Sequence, residues 1–347
     1  MPPVLHSCPA CASTRLQITP PSPYSPLVIV RCRSCGLRQR PPHSPALDAV
    51  VTREAVSAAP VPVPVGAGVA IGAATSAEPV PVVEPVVEPV IEPAAAAPGD
   101  GDSSAEYDYA AYVSVMRASA VHDDRQEVLD RLLALTASLP QPDLFDVGGG
   151  DGTFAALARE RGLAVSGNEL SLEAINLARE RHDVTLHFGT LDQLDHRDEH
   201  AIMTMWCILA HVDDGEALLR DAYRALRPGG ILFLQTPHYS AIDHVATRAF
   251  TGSRGRLSRF AVARLGTKHH VLHTRRSMHT LLSRVGFTDV ETLPRARYSL
   301  TSEFYLQALG LPAGAAVRTG RVVDRAIRGG AAPRIVMDVY ARKPFTA

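Results

Sequence analysis

The chain has almost no net charge: 35 Lys and Arg stand against 36 Asp and Glu over 347 residues, leaving −1. Without a global basic field, long-range attraction to nucleic acid or to an anionic membrane surface is not expected. It also lacks any run of 18 or more apolar residues, which argues against a membrane-crossing helix. Its first residues lack a basic-then-apolar signal pattern. Cysteine is scarce, five in all, and four of the five fall in two C-x-x-C pairs. That usage points to a reducing compartment and to metal rather than to disulfides, so a cytoplasmic protein is expected. The length has room for about two domains plus linkers.

What is present divides the chain into three. In residues 1–40, Cys8-Pro-Ala-Cys11 and Cys32-Arg-Ser-Cys35 are separated by 20 residues, the C-x₂-C…C-x₂-C zinc spacing. Four thiolates close a tetrahedral site, and closed all-cysteine sites are structural, so Zn²⁺ is expected on Cys8, Cys11, Cys32 and Cys35. Between the pairs, Leu27 to Arg31 reads as a short strand. So small a module cannot bury enough apolar surface alone, and the metal would supply its stability. A ribbon of this kind is either a staple without chemistry or a grip on substrate, a carrier protein or nucleic acid. Residues 41–103 are rich in Pro, Ala and Val, as in Glu84-Pro-Val-Val-Glu-Pro-Val-Ile-Glu-Pro93. Proline removes backbone donors and blocks helix, so a disordered, extended tether is expected, with partner docking as the other use.

Residues 104–347 carry alternating strand and helix patterns. A leading helical segment has Tyr107, Tyr109 and Tyr112 followed by Val128, Leu129, Leu132, Leu133 and Leu135 on one face. Then Leu144-Phe-Asp146-Val-Gly148-Gly-Gly150-Asp-Gly152 reads as a strand and a glycine-dense turn, with a helix starting at Thr153. Glycines there allow positive φ and close approach of a ligand, beside the free N–H groups of a helix N-terminus. A dinucleotide fingerprint G-x-G-x-x-G would place its third glycine at Thr153, which disfavours nicotinamide chemistry. A second strand ends in Glu169, about 20 residues past the first glycine, where a carboxylate can accept hydrogen bonds from ribose hydroxyls. Val184 to Gly189 reads as a third strand, followed by Leu191 and Asp192. Ala201 to Leu209 is a nearly continuous apolar run, as in a doubly covered central strand, and is followed by His211. Leu226 to Leu234 reads as a fifth strand, Gly286 to Glu291 as a sixth and Arg334 to Arg342 as a seventh.

The Asp-x-Gly-x-Gly-x-Gly pattern of Asp146, Gly148, Gly150 and Gly152 resembles the first motif of class I S-adenosylmethionine (SAM) dependent methyltransferases, of the type-11/23 kind. Arg224-Ala-Leu-Arg-Pro-Gly-Gly230 resembles that family's R-x-L-x-P-G-G hairpin. The resemblance covers about residues 105–345. It implies an α/β, Rossmann-like, seven-stranded mixed sheet with helices on both faces and SAM bound across strands one to three. By the same resemblance Asp146 lies near the methionine amino end, the glycines pack on the cofactor, Glu169 meets the ribose, and Leu170 beside it is a further cofactor-binding candidate. Asp192 would then reach the adenine amino group; alternatively Leu191 is an apolar wall and Asp192 faces water. Tyr112 or Arg117 would lie over the cofactor, or be a packing tyrosine and a surface arginine.

Related quinone-type O-methyltransferases carry Glu-His where this chain has Ala210-His211. His211 is therefore either a base or a structural, helix-capping histidine. Residues 237–273 read as an irregular, Arg-rich substrate-recognition insertion ending in Lys268-His269-His270-Val-Leu-His273. His269 matches a histidine the family often shows before the next helix. Three histidines in five residues also raise metal binding, with no local cysteine or carboxylate to help. An Asn/Asp-Pro-Pro-aromatic motif of amino-group DNA methyltransferases is missing at Trp206 to Leu209, which argues against nucleic acid. Ribbon plus methyltransferase looks like enzymes of sugar or natural-product tailoring. The expectation is O-methylation of a small metabolite or glycan precursor, with His211 and His269 as catalytic candidates. The alternative is a non-catalytic SAM-binding scaffold that recruits proteins through the ribbon or the Pro-rich tether.

Overall fold

A computed structural model of the chain describes residues 6–19, 28–40, 118–254, 269–297, 302–308, 311–328 and 332–345. The tether over 41–103, the tyrosines 107, 109 and 112, Arg117, Arg264 and Lys268 lie outside the described residues.

Three short strands open the chain: β1 (Leu16–Thr19), β2 (Ile29–Cys32) and β3 (Arg38–Gln39). Helix α1 (Ala118–Leu135) leads into β4 (Asp143–Val147), α2 (Thr153–Glu160), β5 (Ala164–Glu169), α3 (Leu172–His182) and β6 (His187–Phe188). Next come β7 (His200–Trp206), α4 (Gly215–Ala225), β8 (Leu226–Pro237), α5 (Ala241–Gly252), β9 (Val271–Leu272) and α6 (Arg275–Val285). The chain then runs through β10 (Thr288–Arg295), α7 (Ser302–Ala308), α8 (Ala313–Arg328) and β11 (Val336–Arg342).

Seven strands make one mixed sheet in the order β10-β11-β8-β7-β4-β5-β6. β8, β7, β4, β5 and β6 run parallel, and β11 and β10 close the other edge antiparallel. This is the α/β architecture the alternating pattern implied. Successive residues of each strand feed opposite faces. Leu144, Ile202 and Phe233 pack under α1 and α2, whereas Phe145, Met203, Leu232 and Leu234 pack with Leu219, Met278 and Leu281 from α4 and α6. β7 is buried over six of its seven residues, which is why its sequence shows no polar alternation.

Three expectations need correction. The fourth strand stops at Trp206, not Leu209, because Cys207 takes a left-handed conformation and starts a short 3₁₀ turn, Ile208–Ala210. The third strand pairs over only His187 and Phe188. The stretch after Tyr239, read as irregular, contains α5. Its Ser240 and Asp243 form a capping box in which the Asp243 carboxylate accepts from Ser240 N at 2.8 Å and Oγ at 2.6 Å.

The cysteine-bearing module is docked rather than free. β3 pairs antiparallel with β9, making a second sheet β1-β2-β3-β9. Arg40 N donates to His270 O at 3.0 Å, Thr274 Oγ1 to Cys35 O at 2.7 Å, and Arg284 Nη1 to Pro9 O at 3.2 Å. Arg38 is buried with its guanidinium 3.3 Å from the centre of the Tyr239 ring, and burial pushes its pKa down to about 10. At the far edge, buried Asp338 accepts from Arg297 Nη2 at 2.7 Å, and Arg297 also pairs with Asp124 and Glu127, tying α1 to β11.

Candidate active site

The carboxyl ends of β4, β5 and β7 meet where the strand order reverses, the usual crevice of an open α/β sheet. Gly148, Gly150 and Gly152 all have positive φ, at 66°, 56° and 74°. Their surroundings differ. A Cβ at Gly148 would sit 2.3 Å from Ile208 Cδ1, so this glycine serves packing; a Cβ at Gly150 would meet nothing within 4 Å. The loop is pinned on one side and open on the other.

Glu169 ends β5 and reaches that open side. Its Oε2 accepts from Gly150 N at 3.0 Å, and Oε1 accepts from Leu170 N at 2.7 Å and Ser171 N at 3.0 Å. Sequence reasoning placed these two features 20 residues apart; the fold brings them into contact. Leu170 is exposed beside them. Asp192 is exposed in the first turn of the 3₁₀ turn Leu191–Leu194, while Leu191 is buried.

Asp146 lies deeper, beneath the loop. It is buried, and its Oδ1 accepts from Thr204 Oγ1 on β7 at 2.5 Å. Burial raises its pKa to about 7, against the opposing pull of the Thr204 hydrogen bond and the Arg125 guanidinium. Arg125 belongs to the leading helix, and its guanidinium lies 5.8 Å from the centre of the Trp206 ring. Arg125 Nε and Trp206 Nε1 are both buried without a hydrogen-bond partner. Neither residue was singled out from the sequence; a cation one turn before Val128 on a helix facing the loop is the signal that was available.

The two candidate histidines converge with a third group. Cys207 Sγ lies 3.9 Å from His211 Nε2 and 3.8 Å from His269 Nε2, and the two imidazole centres are 5.2 Å apart. Ile208, the residue after Cys207, is the one packed against Gly148, so this cluster borders the glycine loop. His270 N donates to Ala210 O at 2.8 Å, locking the two segments together. His273, by contrast, is buried behind them; desolvation depresses its pKa to about 4, and it is a structural residue. Cys207 was missed because 62 residues separate it from His269. Its C-x₃-H spacing to His211 was the legible hint.

In the N-terminal module, Cys8 Sγ and Cys35 Sγ are 3.6 Å apart, as are Cys11 Sγ and Cys32 Sγ, and all four sulfurs lie within 4.8 Å of one another. A tetrahedral zinc with Zn–S near 2.3 Å has sulfur–sulfur edges of about 3.8 Å, so the cluster fits that ion.

A family described as a methyltransferase domain matches residues 120–292. Over 119 residues the chain is 30% identical to malonyl-[acyl-carrier protein] O-methyltransferase of Serratia marcescens, covering 32% of this chain and 45% of that protein. The chain thus spans less than half the length of that curated relative. An S-adenosylmethionine dependent methyltransferase from Mesorhizobium loti is similar in structure at 23% identity and a TM-score of 0.40, over 60% of this chain and 95% of that one. Phosphoethanolamine N-methyltransferase 2 of Haemonchus contortus, solved with S-adenosyl-L-methionine, is similar at 18% identity and a TM-score of 0.42, over 64% of this chain and 52% of that one. Through residues 120–292 the chain belongs to the methyltransferase domain family, with the Rossmann-like seven-stranded sheet of the class I, SAM-dependent enzymes.

Proposed function

We propose that the chain transfers a methyl group from SAM to an oxygen of a small hydroxylated metabolite or glycan precursor. The observation that carries this reading is the Glu169 carboxylate held 3.0 Å from Gly150 N at the open side of the glycine loop. A carboxylate anchored by backbone amides keeps its remaining lone pairs for a vicinal diol, as the ribose of a nucleoside presents. The open face over Gly150 and the orphaned Arg125 Nε and Trp206 Nε1 fit a cofactor with both a nucleoside and an amino-acid end. SAM, when bound, supplies a sulfonium methyl and so brings the electrophilic chemistry itself.

The protein's task is then alignment and proton removal. Ile208, packed against Gly148 on the pinned side of the loop, would bound the cofactor and face the acceptor in this reading. Holding the acceptor oxygen close and in line behind the methyl lowers the barrier by several kcal/mol, on the order of what well-oriented groups achieve. His211, His269 and Cys207 cluster next to Ile208 and would receive the proton of an acceptor hydroxyl seated there. The O-methyltransferase name of the Serratia marcescens relative also favours an oxygen acceptor. The four cysteines of residues 8–35 hold a structural Zn²⁺ in this reading, and the module braces β9 and the histidines next to it. Incubation with tritiated-methyl SAM and a cell extract should label a small molecule whose methyl ether or ester is identified by mass spectrometry. SAM binding without a labelled product would favour the scaffold reading instead.

A further inference from the structure

We infer that Cys207, His211 and His269 form a second transition-metal site, suited to Zn²⁺, with one coordination position open toward the acceptor. For its chemistry this rests on the methyl-transfer reading above; for its metal it rests on geometry alone.

The three ligand atoms lie within 4.8 Å of one another. A tetrahedral zinc, with Zn–S near 2.3 Å and Zn–N near 2.05 Å, needs sulfur–nitrogen edges of about 3.5 Å. The observed 3.9 and 3.8 Å are longer by a few tenths of an ångström, within reach of small side-chain rotations. One thiolate and two imidazoles are soft and borderline ligands that select zinc over magnesium or calcium. Three protein ligands instead of four is the composition of catalytic zinc sites, in which the remaining position takes water or substrate.

The backbone supplies an independent observation. Cys207 has φ 64° and ψ 11°, a left-handed conformation that non-glycine residues rarely adopt. A residue held in such a conformation at a strand end beside a ligand crevice points to a function for its side chain. Here the kink ends β7, with Cys207 N donating to Gln235 O at 3.0 Å. It leaves Sγ one turn from His211 and facing His269. The scaffold beneath is rigid: His270 N donates to Ala210 O, and Arg40 N of the N-terminal module donates to His270 O. That module therefore fixes the segment bearing His269, which gives it a part in shaping the acceptor side.

Cys207, His211 and His269 would hold the ion, and it would lower the pKa of an acceptor hydroxyl at its open position so that the proton leaves to solvent. The oxygen lone pair forms the new O–CH₃ bond while the CH₃–S⁺ bond breaks. The electron pair of that bond stays on sulfur, giving S-adenosylhomocysteine as a neutral thioether.

The test is metal content of the full-length protein by inductively coupled plasma mass spectrometry, on wild type, Cys207→Ser and His269→Ala. Wild type should carry two equivalents of zinc and each variant one. Substitution with Co²⁺ should give a thiolate-to-metal absorption band that Cys207→Ser diminishes by the share of one sulfur. Titration of SAM into the same samples should give affinities within about twofold of wild type, which separates this inference from the reading of the cofactor site. Equal metal content in wild type and variants would overturn the site, whatever the SAM titration shows. Loss of SAM binding with the zinc count still falling from two to one would instead remove the methyl-transfer reading and leave the metal.

Discussion

The four-thiolate cluster of the N-terminal module and the Cys207–His211–His269 cluster share ligand chemistry and differ in their surroundings. Cys8, Cys32 and Cys35 are buried at 2%, 2% and 4% exposure, inside a module of short strands with little apolar core of its own. The second cluster has an exposed histidine and two half-buried partners, and it borders an open loop on a seven-stranded sheet with a large buried core of its own. A closed set of ligands replaces a missing core; an open set on a rigid edge is available for chemistry. The contrast teaches where each kind of substitution should be felt.

Breaking the first cluster should have the largest effect. Cys32→Ser should unfold the module, since small zinc modules gain about 10–16 kcal/mol of apparent folding free energy from the metal. Hydrogen exchange should then show lost protection over β2 and β3, while β4 and β7 keep theirs. Loss of protection across the whole sheet would contradict this and show that the main core, which Cys8, Cys32, Cys35 and Leu37 adjoin, depends on the metal.

A pH experiment sharpens the same comparison from the sheet side. Asp146 has a folded pKa raised to about 7 by burial, above its ordinary value of 3.8. The stabilisation from its protonated form is complete below about pH 4 and is lost as pH rises through about 7. Asp146→Asn keeps an acceptor for Thr204 and cannot ionise. Its melting temperature relative to wild type should therefore rise between pH 4 and pH 8, by the equivalent of up to about 4 kcal/mol at about 1.4 kcal/mol per pH unit. A difference that stays flat with pH would show that Asp146 does not titrate there.

The two glycines of the loop give smaller, opposed effects. Gly148→Ala should destabilise the fold by a few kcal/mol, on the order of an overpacked core position, because of Ile208. Gly150→Ala has free space around its Cβ and only a left-handed φ to offset, about 1 kcal/mol. Its larger effect should be on ligand affinity. Thermal melts paired with SAM titration separate the two. The smallest effect is expected for Arg284→Ala, whose exposed pair with Glu216 contributes about 0–1 kcal/mol. It should only loosen docking at Pro9, read as faster exchange in the module.

Much of this molecule was legible where the chain brings neighbours together. The glycine turn, the Glu169 strand end and the alternation of strands with helices are local patterns, and the seven-stranded mixed sheet was expected from the family resemblance they carry. The C-x-x-C pairs were legible for the same reason. What sequence could not show is long-range. Cys207 joins His269 across 62 residues, and β3 pairs with β9 across more than 230. The end of β7 was misread because an apolar run continues through Leu209, while the backbone kinks at Cys207. Asp146 was assigned from resemblance to the cofactor's amino end; its nearest hydrogen-bond partner is Thr204 on the adjacent strand.

The central claim, a SAM nucleoside held at the Gly148–Gly152 loop by the Glu169 carboxylate, is tested most directly by isothermal titration of SAM into wild type and Glu169→Ala. The account predicts saturable binding by wild type and a loss of at least tenfold in the variant, the worth of one charge-assisted hydrogen bond of about 1.5–3 kcal/mol. Equal affinities for the two proteins, or no heat with either, would contradict it.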